Sequence, residues 1–196
     1  TFKPFVYTLA MQEGYSPCYK VPNSKVTIVD KFGGSWTPSN ADGSYGGMLS
    51  LKQALANSVN CVSAYLMKQF GPEAVIQVAH KMGITTPIKP FASIALGSAD
   101  ISVFEMVGAY GTFANKGIWT EPMYITRIED KNGVVLQEFV PRKVEAINEE
   151  TAYLMLNLME GVTKFGTGER LRGGAYHFSN PIAGKTGTTQ NNSDGW

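Results

Sequence analysis

A lysine, hydroxyls and bare glycines fall together in Gly184-Lys185-Thr186-Gly187-Thr188-Thr189. β-Branched threonines flanking a glycine suit an edge strand with one open position. The glycine lets a second backbone lie close against the strand. Lys185 sets a cation at its head, and the threonine hydroxyls line the same edge. Such an edge fits an extended, anionic peptide read by main-chain hydrogen bonds. The same residues also suit a plain polar edge strand with a turn glycine.

Two further stretches bear on the choice: Ser58-Val59-Asn60, within Leu55-Ala56-Asn57-Ser58-Val59-Asn60-Cys61, and Thr1-Phe2-Lys3-Pro4-Phe5. With these in place the sequence resembles the penicillin-binding transpeptidases, most closely the class A penicillin-binding proteins (the 1A/1B type). That family carries Ser-x-x-Lys, Ser-x-Asn and Lys-Thr-Gly in this order. Lys3 matches the lysine of the first motif. Ser58 and Asn60 match the second, and Lys185, Thr186 and Gly187 the third. The resemblance extends over nearly the whole chain. It takes in Trp36-Thr37-Pro38-Ser39-Asn40, Gly43-Ser44-Tyr45-Gly46-Gly47, Ala95-Leu96-Gly97-Ser98 and Ala109-Tyr110-Gly111-Thr112-Phe113-Ala114-Asn115.

The resemblance implies an α/β fold of the β-lactamase/transpeptidase type, an antiparallel sheet flanked by helices. Residues 1–196 would hold mostly the helical part, one hairpin and the Lys-Thr-Gly strand. They would form a partial transpeptidase domain, truncated at both ends, with the nucleophilic serine immediately before Thr1.

The implied chemistry is acyl transfer from a D-Ala-D-Ala peptide. Lys3 would be the base, its pKa lowered by burial and by Lys185. Ser58 would bridge Lys3 and Lys185 and pass a proton to the leaving amine. Asn60 would hold the donor peptide's amide. The Thr188 N–H would serve the oxyanion hole. Thr186 and Thr188, with Lys185, would bind the terminal carboxylate beside the open Gly187. The implied partners are peptidoglycan stem peptides and the β-lactams that mimic them. Neither a metal nor a cofactor is expected. The parent protein would be membrane-anchored on the periplasmic, extracytoplasmic face, with an N-terminal glycosyltransferase domain.

Other readings fit parts of this pattern. A catalytically inactive peptide- or β-lactam-binding module takes the sequence without its serine. A D,D-carboxypeptidase would use water as acceptor. A class A β-lactamase needs Glu-x-x-Leu-Asn, but at Leu156-Asn157 the glutamate position holds Tyr153.

Composition agrees with one sizeable core: 196 residues, 43% hydrophobic and 17% charged. A net charge of +1 gives no reason to expect nucleic acid. Cys18 and Cys61 lack a CxxC or a nearby His, so no metal site is expected there; two separate free thiols are the expectation, with a disulfide permitted outside the cytoplasm.

The elements that must position these residues also have signatures. Phe2, Phe5, Val6, Leu9 and Ala10 predict a helix with one apolar face, opened by Pro4. Loop-rich sequence follows over 14–50, with a short strand near Lys25–Val29. Trp36 and Tyr45 either wall a cleft or pin this loop. Ser50 caps a helix whose stripe (Leu51, Leu55, Val59, Val62, Leu66) runs on to Gly71-Pro72. By that stripe, Ser58 and Asn60 are polar residues on an exposed side; by the resemblance they face the cleft at a helix junction. Pro72–Met82 is a helix stopped by Gly83. Ser102 caps another through Phe113. Asp130-Lys131-Asn132-Gly133 turns a hairpin between 124–129 and 134–139. Asn148 caps the last helix, which buries Ala152, Leu154, Met155, Leu158, Met159 and Val162. Arg170 and Arg172 sit on a cleft rim or a solvated loop.

Overall fold

The computed structural model describes residues 1–30, 33–173, 176–188 and 195. Its centre is α1 (Lys3–Gln12). Pro4 in the first turn costs no hydrogen bond, since that amide has no helical partner. The expected single apolar face is corrected: Lys3 through Met11 are all buried, polar Thr8 and charged Lys3 included. The cause is tertiary, because α1 is packed round by α2 (Leu51–Ala56), α3 (Asn60–Phe70), α4 (Pro72–Lys81) and α6 (Glu149–Phe165). Thr8 is satisfied by donating to the Pro4 carbonyl at 2.8 Å. Phe5, Val6, Leu55, Leu66, Met155 and Leu158 belong to the same core. Of the face expected on α6, Leu154 alone stays partly exposed.

The strands form four two-stranded antiparallel ladders rather than one sheet among the described residues. β1 (Lys20–Pro22) pairs with β4 (Met48–Ser50), and β2 (Ile28–Val29) with β3 (Ser35–Trp36). β5 (Ile118–Thr120) pairs with β8 (Lys143–Glu145). The expected hairpin forms from β6 (Arg127–Glu129) and β7 (Val135–Glu138) around the Asp130 turn. The Lys-Thr-Gly stretch is the second correction. Residues 181–187 carry no ladder; Thr188 makes one antiparallel bridge, to Gly195. A strand exists only where a second backbone pairs with it, and Gly195 supplies one residue of that. Thr189 lies outside the described residues.

The stripe from Leu51 to Leu66 does not make one helix. The chain leaves α2 at Asn57, passes Ser58 and Val59, and re-enters as α3 at Asn60. The Val59 amide returns to the Ala54 carbonyl and the Ser58 amide to that of Leu55. These are the two bonds of a Schellman closure, with Ser58 at the left-handed position (φ 56°) where glycine is usual.

The helix starts are as read. Ser50 and Ser102 each form a full capping box, with Gln53 and Glu105, and Asn148 accepts from the Thr151 amide. Glu105, on α5 (Val103–Ala114), goes further. Its carboxylate accepts from the amides and hydroxyls of both Thr85 and Thr86, at 2.7–2.9 Å, besides Ser102. Desolvation opposes the charge, but the Thr86 and Thr85 bonds outweigh it and hold the carboxyl well below its usual range. Glu105→Gln places an amide before these donors and is expected to cost about 2 kcal/mol. Urea unfolding checks this. Because the folded value is depressed, the contribution is present above the ordinary carboxylate pKa and is lost as pH falls through the folded one.

Candidate active site

Lys3 stands at the first position of α1, 6% exposed. Its amine reaches the break between α2 and α3. Nζ lies 3.0 Å from the Ser58 hydroxyl, donates to Asn60 Oδ1 at 2.7 Å, and also contacts the Ser58 carbonyl. Asn60 Nδ2 donates to the Ser39 carbonyl at 2.8 Å, so its oxygen is held toward Lys3. A neutral amine has two protons and one lone pair. Here it can donate to the Ser58 carbonyl and Asn60 Oδ1 and accept from the Ser58 hydroxyl. An ammonium would instead donate to all three, so these contacts serve either form.

Electrostatics favour the neutral form. Burial, with the nearby Lys185 cation, lowers the Lys3 pKa to about 7. Burial alone lowers Lys185 to about 8. Between those values Lys3 is largely neutral and Lys185 largely charged, so one site holds a base and a cation.

Lys185 reaches this place through α6. Thr163 donates to the Ile182 carbonyl at 2.7 Å, and the Gly184 amide returns to the Met159 carbonyl. Arg172 clamps the preceding loop by donating to the carbonyls of Phe178, Ser179 and Asn180. Arg172 is partly exposed, and Arg170 is exposed as the solvated-loop reading has it. Lys185 Nζ donates to the Thr186 carbonyl at 2.7 Å. The structure thus forms the Lys3–Ser58 half of the expected bridge. The Ser58–Lys185 half has no hydrogen bond among those described.

Thr186 turns toward a neighbour that sequence reasoning missed. Its hydroxyl contacts that of Thr167, whose amide donates to the Ala56 carbonyl at 3.0 Å. Thr167 therefore ties the Lys-Thr-Gly segment to the end of α2, two residues before Ser58. Gly166-Thr167-Gly168 is the signal that carried this. A β-carbon on Gly166 would sit 2.2 Å from the Ala56 carbonyl oxygen, with the Ala56 backbone behind it. Gly166→Ala is expected to cost about 3 kcal/mol by overpacking, read from the urea midpoint. It should also slow any chemistry at Ser58. Gly187 is partly buried and Thr188 exposed.

The remaining candidates make contacts of their own. Trp36 pins the β2–β3 hairpin, lining a shallow groove with Ile28, Phe91 and Ala92. Tyr45 is exposed under Lys25 Nζ, 5.4 Å away. Tyr153 is exposed on α6, and Asn157 accepts from Lys52 Nζ at 2.8 Å. Neither supports the glutamate role a β-lactamase would need. Cys18 is exposed, Cys61 buried, and both are free.

The model of the penicillin-binding protein transpeptidase domain matches residues 1–195. The chain belongs to this family. Penicillin-binding protein 1A of Neisseria meningitidis is 34% identical over 204 residues, covering all of this chain and 25% of that protein. The chain thus spans about a quarter of the length of that curated relative. The crystal structure of penicillin-binding protein 1A from Haemophilus influenzae superposes with a TM-score of 0.87 at 23% identity, over 96% of this chain and 34% of that one. PonA1 of Mycobacterium tuberculosis, solved in complex with penicillin V, gives a TM-score of 0.79 at 27% identity, over 96% and 52%. The β-lactamase/transpeptidase-like fold expected from the motifs is therefore the fold of this chain.

Proposed function

We propose that the chain is the central part of a serine-type D,D-transpeptidase domain. It would crosslink peptidoglycan stem peptides by acyl transfer from D-Ala-D-Ala donors and be acylated by β-lactams. The observation that carries this reading is the Lys3 amine, buried against Ser58 and Asn60 with its pKa lowered to about 7. The family match and the penicillin V complex of PonA1 support it.

The nucleophile is a serine immediately before Thr1 in the longer protein. The Tyr110 hydroxyl donates to the Thr1 carbonyl at 2.6 Å, fixing the Thr1–Phe2 peptide, one unit beyond that serine. Neutral Lys3 takes the serine proton as the oxygen attacks the donor carbonyl. The Ser58 hydroxyl, 3.0 Å from Nζ, passes a proton to the leaving D-alanine amine. Asn60 keeps one further lone pair and one further N–H for the donor's amide. Lys185 and the Thr188 hydroxyl take the terminal carboxylate. Thr186 adds its own proton when Thr167 donates to it. Gly187 leaves room for the peptide backbone, and the Thr188 N–H faces the oxyanion. The acyl-enzyme then passes to an acceptor amine. The site works outside the cytoplasm, in a membrane-anchored parent with an N-terminal glycosyltransferase domain.

The test is intact mass of the full-length protein before and after a fluorescent penicillin, followed by peptide mapping. The expected result is a stable adduct on the peptide carrying Thr1-Phe2-Lys3. No adduct on folded protein would replace this reading with a binding module. Rapid loss of the adduct would replace it with a β-lactamase.

A further inference from the structure

α3 begins without a side-chain cap of its own. Its N-cap residue is Val59, which has no oxygen to offer. The cap comes from elsewhere in the chain. Asn40 Oδ1 accepts from the Asn60 amide at 2.9 Å and from the Cys61 amide at 3.0 Å. Asn40 Nδ2 donates to Asn23 Oδ1 and to the Ser44 carbonyl, both at 2.7 Å. All four valences of this amide are used, in a side chain 7% exposed beside an equally buried Asn23. Asn23 is itself fixed, its amide donating to the Gly47 carbonyl and its carbonyl accepting from the Gly46 amide.

The residue whose backbone Asn40 grips is the one whose side chain meets Lys3. The next residue back from Asn40, Ser39, supplies the carbonyl that orients the Asn60 amide group. Residues 39 and 40 thus hold Asn60 from both ends, backbone and side chain. Ser58 lies two residues earlier, in the left-handed position of the turn that leads into α3. We infer that Asn40 is a positioning residue for acylation: through the Asn60 amide it sets where Asn60 Oδ1 and the Ser58 hydroxyl stand relative to Lys3. Aspartate could not replace it, since a carboxylate would face the Ser44 carbonyl. Serine could not span both sides. This inference rests on the proposed function.

Two variants of the full-length protein test it, Asn40→Ala and the milder Asn23→Ala. Lys3 is titrated by NMR on carbon-13-labelled lysine, and the acylation rate with a fluorescent penicillin is measured well below each unfolding midpoint. Glu105→Gln serves as a control that loses stability through bonds to Thr85, Thr86 and Ser102 rather than to Asn40, Asn60 or Lys3. The charge facing Lys3 is Lys185, from the segment after α6, and neither variant alters it. Loosening Asn60 admits water to the Lys3 amine. Asn40→Ala should therefore move its titration upward by about one unit and slow acylation by about 10- to 100-fold. Asn23→Ala should move both in the same direction by less, and Glu105→Gln should move neither. Wild-type titration and rate in a folded Asn40→Ala would overturn the inference. Should that variant not fold, the same result in Asn23→Ala would overturn it. A wild-type protein that is never acylated would instead sink the proposed function, while the Lys3 titration would still decide the role of Asn40.

Discussion

Lys3→Gln is expected to slow acylation by a β-lactam by about 10³-fold while leaving the protein folded. A positioned general base contributes roughly 10²–10⁴-fold. Among the described residues, Lys3 is the one basic group bonded to the Ser58 hydroxyl. Glutamine keeps a polar, uncharged donor in the pocket, one bond shorter than the lysine, and loses the base. The wild-type pH dependence follows from the same group. Below about 7 Lys3 is protonated and cannot take a proton. Each pH unit below that value should therefore cost about tenfold in rate. Above about 8 Lys185 loses its charge, and binding of a carboxylate should weaken. Because the two lysines sit together, the profile reports the pair rather than either alone. Stability moves differently. The unfolded chain holds the Lys3 proton up to 10.5, the folded one only to about 7. Stability should rise with pH across that window, and the burial cost should be fully felt below it.

Ser58→Gly is expected to separate activity from stability. It removes the hydroxyl bonded to Lys3, which in the proposed mechanism passes the proton to the leaving group, so acylation should fall by about 10²-fold. It also relieves a left-handed residue at a helix C-terminus, where φ is 56° and glycine carries no penalty. The fold should gain about 1 kcal/mol, seen as a higher urea midpoint. Ser58→Ala should lose the same activity without the gain, since alanine keeps the β-carbon. If both variants lost stability and kept activity, Ser58 would be a structural residue only. The strained backbone shows why a serine here is better explained by chemistry than by the turn.

The sequence carried the local signals well and the tertiary ones poorly. Ser50, Ser102 and Asn148 could be read as caps because each bonds an amide three residues on. Gly83 could be read as a stop, and it adopts φ 92°. Lys3, Ser58 and Asn60 could be read as a set from motif order, and the fold brings them within 3.0 Å. The break at 57–59 was hidden because Leu55, Val59 and Val62 keep helical spacing across it. Periodicity records which residues face the core, and both helices face the same core. The full burial of α1 was hidden because it depends on neighbours drawn from residues 51 to 165. The work of Asn40 and Thr167 was hidden for a similar reason, since each bonds a residue far along the chain. Lys-Thr-Gly could be read as a site but not as lacking a ladder, because pairing depends on the second strand.

The most direct measurement is the rate of acylation of the full-length protein by a fluorescent penicillin from pH 5 to 9, with Lys3→Gln beside it. A rise of about tenfold per unit that levels near pH 7 and declines above about 8, with the rise absent from the variant, is the predicted result. A wild-type rate flat across that range, or a variant acylated as fast as the wild type, would contradict Lys3 as the base.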